Sequence, residues 1–327
     1  MKEKKLKILT NVLGASYRTN NEFLFKCPYC DHHKRKFSVN LDKGYYKCWV
    51  CDTRGKNLYR VVRRFGTNHD KSQWRDLTSE IDYGRLEEFF AEKIEEKQIL
   101  EMPEGFISLA NKDVPPTGFA ARNYLRKRDI SKQDIVWWKM GYCSRGEYEG
   151  RIIIPSFDDE GDLNYFVSRS YDRSYYPKYK NPPASKNIIF NDLFVDWSSD
   201  IVLVEGVFDA IIAGRNAVPI LGSALNQNSV LLRKIVKEDA GVYVALDPDA
   251  KKKELEIIKT LLDFDIEVWK VDIGDDDDVG SMSKAQFQKC LENATLITPD
   301  NYLLLTLAMS VSVSYTHLRA HETVLDL

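Results

Sequence analysis

Between Ile201 and Asp278, short apolar runs alternate with stretches of helical periodicity. Ile201-Val202-Leu203-Val204 ends in Glu205-Gly206, and Ala217-Val218-Pro219-Ile220-Leu221 ends in Gly222. Val242-Tyr243-Val244-Ala245-Leu246 ends in Asp247-Pro248-Asp249, and Ile266-Glu267-Val268-Trp269-Lys270-Val271 leads into Asp275–Asp278. β-branched runs separated by helices predict a parallel sheet covered on both faces. Upstream the pattern changes. Residues 36–41 and 44–49 alternate like the two strands of a hairpin. Residues 66–105 are polar and charged, with one amphipathic stretch from Leu86 to Ile94, and predict a linker with some helix. Residues 106–195 predict a separate small α+β unit. It has a basic helix from Phe119, a second helix over Lys132–Lys139 capped by Ser131, and a hairpin turning at Asp159-Glu160-Gly161.

The fold class expected is therefore multidomain α+β. A metal-binding ribbon (1–65), the linker (66–105), the basic subdomain (106–195) and an α/β parallel-sheet domain (196–300) precede a tail (301–327). The end of that tail, from Ser312, matches nothing upstream and is read as foreign to the natural protein. At 327 residues, 43% hydrophobic and 29% charged, the chain has room for these domains and an ordinary globular composition. No apolar stretch is long enough to span a bilayer, and the N-terminus lacks a signal-peptide core. A cytoplasmic protein is expected, or one of the host cytoplasm if a phage encodes it. Thiols stay reduced there, so the six cysteines favour metal over disulfides.

The net charge of −2 hides a division. Residues 1–75 carry 18 Lys/Arg against 6 Asp/Glu, whereas the remainder carries 29 against 43. A basic arm on an acidic body suits a polyanion held at one end and metal chemistry at the other.

The acids follow strands. Glu205, Asp247 with Asp249, and the Asp275 group each lie at a strand's carboxyl end, where open α/β sheets bind ligands. Carboxylates crowded there repel and take up protons unless a cation neutralises them. Mg²⁺ suits such oxygen donors, and two ions could clamp a phosphoryl transfer. A lone Asp-x-Asp or an Asp run is commonly a solvated loop; three acidic sites after three successive strands are harder to dismiss.

Cys27-Pro28-Tyr29-Cys30 and Cys48-Trp49-Val50-Cys51 are two C-x₂-C knuckles seventeen residues apart. Four thiolates from two turns match tetrahedral Zn²⁺, so one structural zinc in a ribbon is expected. His32 and His33 lie beside the first knuckle, but four thiolates already complete a site. Lys34, Lys36, Lys43 and Lys47 interleave with Phe37, Tyr45, Tyr46 and Trp49. Such rings either stack on unpaired bases, with the lysines on phosphates, or form the ribbon's small core.

Three blocks resemble the toprim domain of bacterial-type primases, topoisomerases and some nucleases. They are Leu203-Val-Glu-Gly-Val-Phe-Asp-Ala210, Ala245-Leu-Asp-Pro-Asp249 and Gly274-Asp-Asp-Asp-Asp-Val-Gly280. The third block is usually Asp-Pro-Asp, and here it is an Asp run. Residues 23–30 and 46–51 resemble the zinc-binding domain that begins bacterial and phage primases, in an all-cysteine form. Together the resemblance spans nearly 300 residues in primase order.

A bacterial- or phage-type DNA primase would synthesise RNA primers on single-stranded DNA from ribonucleoside triphosphates, using Mg²⁺ or Mn²⁺. By this resemblance Glu205, Asp247 and Asp249 are catalytic, and Glu205, Asp209, Asp247, Asp249, Asp275 and Asp277 hold two or more metal ions. Arg151, Arg169, Lys178 and Lys180 line the path of template and nucleotide, and Lys34, Lys36, Tyr46 and Trp49 engage DNA from the ribbon. No Walker A pattern follows, so the replicative helicase is expected as a separate chain. The alternatives are a zinc-ribbon/toprim DNA-binding protein and a toprim nuclease of DNA repair or processing.

Overall fold

A computed structural model of the chain describes residues 2–30, 32–55, 57–78, 98–172, 174, 176–274, 278–298 and 301–307. The helix expected over Leu86–Ile94, the candidate ligands Asp275 and Asp277, and the tail past residue 307 lie outside these residues. The chain divides into two compact units, 1–93 and 94–327. No helix among the described residues is long and apolar enough to cross a membrane.

In the first unit, helix α1 (Lys2–Leu13) precedes an antiparallel sheet in the order β1-β2-β3-β4-β5. The strands are Tyr17–Thr19, Glu22–Phe25, Phe37–Asn40, Tyr45–Cys48 and Arg54–Gly55. The expected hairpin is β3–β4, registered from Phe37 opposite Cys48 to Asn40 opposite Tyr45. Helices α2 (Tyr59–Phe65) and α3 (Asn68–Thr78) follow, both packing with α1.

A ribbon of this size buries too little apolar surface to be stable alone. Here Phe25, Phe37, Val39 and Tyr46 of the sheet form one core with Ile8, Leu9, Val61, Val62 and Trp74 of the helices. The ribbon unit therefore runs past residue 65. Residues 68–78, expected as the start of a linker, are a helix because Trp74 supplies a large apolar ring to that core.

The second unit holds two sheets. Strands β6 (Phe106–Ser108), β7 (Gly141–Cys143), β8 (Arg151–Phe157) and β9 (Leu163–Ser170) form an antiparallel sheet in that order. Helix α4 (Pro116–Arg126) starts on a proline whose missing N–H costs nothing at that position. Helix α5 (Lys132–Trp137) starts on a reciprocal cap between Ser131 and Asp134.

The other sheet has the order β11-β10-β12-β13-β14. Its strands are β10 (Ile201–Val204), β11 (Ala217–Pro219), β12 (Val242–Val244), β13 (Val268–Lys270) and β14 (Thr295–Ile297). The first four are parallel and β14 is antiparallel. Helices α6 (Val207–Ala213), α7 (Val230–Glu238), α8 (Lys251–Asp263) and α9 (Lys284–Glu292) connect them. All four residues of β10 are buried, as expected of a central strand covered on both faces.

Residues 106–195 do not stand apart as a separate unit. Ile152, Ile154, Tyr165 and Val167 of β8 and β9 share one continuous core with Val204, Val207, Phe208 and Ile211 of the parallel-sheet region. Lys284 of α9 also bonds Asp134 at the start of α5. The leading segment is tied in too, since the Leu100 N–H donates to the Leu163 carbonyl at 2.8 Å.

Trp74→Ala should destabilise the first unit by about 3–5 kcal/mol, the usual cost of removing a buried Trp. Denaturant unfolding monitored on that unit measures this, and a loss below about 1 kcal/mol would place α3 outside the core.

Candidate functional site

Strand β10 has β11 on one side and β12 on the other. The crossovers from β10 to β11 and from β11 to β12 therefore leave in opposite directions. The carboxyl ends of β10 and β12 flank the resulting crevice, the usual ligand position in such sheets. Glu205 directly follows β10, Asp247 lies three residues past β12, and Asp278 comes on the loop after β13. All three line a cavity of about 360 Å³, together with Asp209.

Asp209 is the one polar side chain in Val207-Phe-Asp-Ala-Ile-Ile-Ala213, and the other large residues of that helix are buried. Its two oxygens have different partners. Oδ2 accepts the Gly206 N–H at 2.7 Å, and Oδ1 accepts the Gly280 N–H at 3.0 Å. Asp209 thus fastens the loop after β10 to the loop after β13. A Cβ at residue 280 would lie 2.6 Å from Asp209 Oδ1 and 3.3 Å from Asp278 Oδ1, so only glycine permits this approach.

Glu205 Oε1, Asp247 Oδ1 and Asp278 Oδ1 are buried and have no hydrogen-bond donor. A carboxylate oxygen left this way loses its hydration without replacement. Burial, followed by repulsion from Asp209, Glu205, Asp278 and Asp249, pushes the Asp247 carboxyl up to about 7. Burial is also the main cause for Asp209, raised to about 6 despite its two backbone donors. Three orphaned, hard oxygen donors from three loops fit a divalent cation.

The opposite side of the cavity is basic. Arg128, Arg169, Lys178 and Asn181 line it. The Arg169 guanidinium bonds the Tyr179 hydroxyl and lies over the Phe208 ring, 4.6 Å from its centre.

Of the sequence-derived candidates, the fold gathers Glu205, Asp209, Asp247, Arg169 and Lys178 around this cavity. Asp249 is exposed in the 3₁₀ turn Pro248–Ala250 and does not line it. Lys180 instead pairs with Glu147 at 3.1 Å. Arg151 is buried away from the lining, because β8 turns its side chain into the protein near Tyr148.

Sequence reasoning did not single out Asp278, Arg128, Asn181 or Gly280. Asp278 closes a uniform Asp run in which spacing distinguishes no member. Arg128 lies in a run of basic residues, Arg126-Lys-Arg128, and only its place in the fold sets it apart.

In the first unit the four knuckle thiols converge. Cys27 and Cys51 sulfurs are 3.8 Å apart, Cys30 and Cys48 sulfurs 3.9 Å, and all four lie within 4.8 Å of one another. Tetrahedral zinc with bonds of about 2.3 Å needs sulfur separations of roughly 3.8 Å, so the donor set fits. His32 Nδ1 accepts the Lys34 N–H at 3.2 Å, which marks it as a loop residue.

The aromatics divide. Trp49 is 64% exposed, with the Lys47 ammonium 4.7 Å from its ring centre. Tyr46 is 2% exposed and packs against Phe37 and Tyr29, so the expectation that its ring meets nucleic acid is corrected: it is a core ring. Lys34 and Lys36 are exposed.

No protein-family model matches the chain. It is similar to bacterial DNA primases. The DNA primase of Clostridium acetobutylicum is 24% identical over 350 aligned positions, covering 86% of this chain and 55% of that protein. That of Thermotoga maritima is 25% identical over 311 positions, covering 80% and 52%. The chain thus spans about half the length of the curated relatives it matches. Among solved structures, a DnaG primase catalytic domain bound to single-stranded DNA aligns with a TM-score of 0.50 at 18% identity. It covers 59% of this chain and 76% of that one, a likeness of fold.

Two expectations follow from the acid cluster. Asp247 and Asp209 hold protons more tightly folded than unfolded, so their contribution is fully present below about pH 4, where both states are protonated. It is lost as pH rises toward 6 and 7, where the unfolded chain has ionised and the folded one resists. In EDTA, the melting temperature of Asp247→Asn minus that of wild type should grow between about pH 5 and 8; a constant difference would show that Asp247 is not under strain. Gly280→Ala should push Asp209 off the Gly280 N–H and lower the melting temperature by a few degrees, an effect absent if the loop simply shifts aside.

Proposed function

We propose that this chain is the zinc-binding and polymerase portion of a bacterial- or phage-type DNA primase. It makes short RNA primers on a single-stranded DNA template by metal-dependent nucleotidyl transfer. The observation that carries the reading is the trio of donorless buried carboxylate oxygens on Glu205, Asp247 and Asp278 at the switch point, facing Arg169 and Lys178 across one cavity.

Glu205, Asp247 and Asp278 would hold Mg²⁺ or Mn²⁺, with Asp275, Asp277 and exposed Asp249 as further carboxylates of the same loops. When bound, such ions act as Lewis acids on phosphoryl oxygens and lower the pKa of an attacking hydroxyl. Asp209 acts as a brace. It keeps the loops bearing Glu205 and Asp278 at a fixed separation through two backbone N–H groups.

Arg169 and Lys178 bind the phosphates of the ribonucleoside triphosphate or the template. Arg169 is already oriented by the Tyr179 hydroxyl and the Phe208 ring, so little side-chain freedom is lost on binding.

In the first unit Cys27, Cys30, Cys48 and Cys51 hold one structural zinc. The exposed ring of Trp49 and the ammonium groups of Lys34 and Lys36 engage unpaired template bases and phosphates. A replicative helicase acts as a separate partner chain that brings the template.

The test is primer synthesis from labelled ribonucleotides on single-stranded DNA. Glu205→Gln keeps shape and volume but removes the anion. It should lower primer yield by roughly a hundredfold or more, while DNA affinity and melting temperature hold. Near-normal synthesis by Glu205→Gln would overturn the reading. Cleavage of the DNA in place of synthesis would favour a nuclease.

A further inference from the structure

We propose that the amino end of the parallel sheet carries a docking surface for a short acidic and apolar segment of a partner protein, held by Trp137, Phe194, Arg215 and Lys139. The surface lies at the opposite end of the sheet from the crevice and does not depend on the polymerase reading.

Three stretches of chain meet there. Trp137 ends α5, Phe194 ends the 3₁₀ turn Asp192–Phe194, and Arg215 stands two residues before β11. The Trp137 and Phe194 ring centres are 5.7 Å apart. The Arg215 guanidinium lies 4.5 Å from the centre of the Trp137 ring, and the Lys139 ammonium 5.5 Å from that of Phe194. The Asn216 side chain fixes the spacing. Its Oδ1 accepts the Asp196 N–H at 2.8 Å, and its Nδ2 donates to the Asp196 and Asp200 carbonyls at 3.2 and 2.8 Å. The chain that leads from Phe194 into β10 is thereby tied to the residue after Arg215. Rings and cations are in place before anything binds, which lowers the ordering cost of association.

The charge of this surface runs against that of the body around it, where residues beyond 75 carry 29 Lys/Arg against 43 Asp/Glu. Arg215 and Lys139 are exposed, and among the described residues neither has a carboxylate within ion-pair distance. The acids of the neighbouring chain are already engaged. Asp134 pairs with Lys284, Asp192 accepts the Trp197 indole N–H, and Asp196 accepts the Ser198 and Ser199 hydroxyls. Two cations without counter-charge are complementary to carboxylates from outside. Next to Trp137 in the chain Val136 is 53% exposed, and next to Phe194 Leu193 is 43% exposed, so apolar surface accompanies the charges. Trp and Arg are the residues on which binding energy at protein interfaces concentrates.

A nucleic acid fits this surface less well. A cation already lies over each ring, where an unpaired base would stack. Asp192 and Asp196 lie two residues to either side of Phe194 and repel a run of phosphates. A peptide carries its carboxylates singly and seats an apolar side chain between them.

The test is selection from a displayed library of random dodecapeptides by the full chain, followed by titration of the selected peptides with a fluorescein label. They should carry Asp or Glu around a Phe, Leu or Ile, and bind more weakly as salt rises. Arg215→Glu should weaken them about tenfold or more and Lys139→Glu several-fold, with oligo-dT affinity and melting temperature unchanged. A selected peptide whose acids are changed to Lys should bind Arg215→Glu better than wild type, a rescue that a folding defect would not give. Selection of peptides without acids, or affinities indifferent to both charge reversals, would overturn the proposal. Loss of oligo-dT binding in Arg215→Glu would overturn it by assigning the surface to nucleic acid. A dimer seen by sedimentation in wild type and lost in Arg215→Glu would overturn it by assigning the surface to a second copy.

Discussion

Four carboxylates around one crevice repel one another, and the second unit is arranged around containing that repulsion. Asp209 provides the restraint. By accepting one backbone N–H from the loop after β10 and another from the loop after β13, it turns a buried charge into a clasp between two loops. The other three acids are then held near one another with oxygens that no protein donor satisfies. Such a site is costly when empty, and the binding of a cation recovers that cost.

The basic wall obeys the same logic with the sign reversed. Phe208 stands next to Asp209 on α6, so the residue whose ring lies beneath both arginines of that wall and the residue that clasps the acidic loops are fixed by the same helical turn. Arg169 reaches the ring from β9 of the antiparallel sheet, and Arg128 from the turn after α4. Anionic and cationic surfaces are thus brought face to face by three separate stretches of chain. Their spacing is set by a core continuous through both sheets.

Much of this was legible in the sequence, for physical reasons. Alternation of β-branched runs with helices reports a two-sided parallel sheet directly, and β10 through β13 lie where those runs are. The knuckle spacing reports the thiolate cluster because tetrahedral geometry tolerates few alternatives. Glu205 and Asp247 were legible because they follow apolar strand-forming runs. Burial direction was not. Tyr46 lies in β4 and Trp49 three residues on, in the turn that follows, and only the packing of the unit makes one a core ring and leaves the other in solvent. Arg151 and Arg169 occupy facing strands of one hairpin, yet one side chain turns into the protein and the other into the cavity. Trp74 lay in a charged stretch whose average polarity concealed a single anchoring ring.

The shared core also has a consequence for how the protein comes into being. Its contacts join β8 and β9 to α6, some forty or more residues further along the chain, so most of the closure entropy falls due before the rewarding contacts form. The antiparallel sheet leaves the ribosome before the parallel one, and the core that Ile152, Ile154 and Val167 share with Leu125 and Ile135 of the preceding helices is completed only when α6 is synthesised. During that interval the nascent chain presents an apolar sheet and no assembled acid cluster. Competence of the crevice to hold a cation is therefore acquired late and all at once, after the ribbon's four thiolates have long been made.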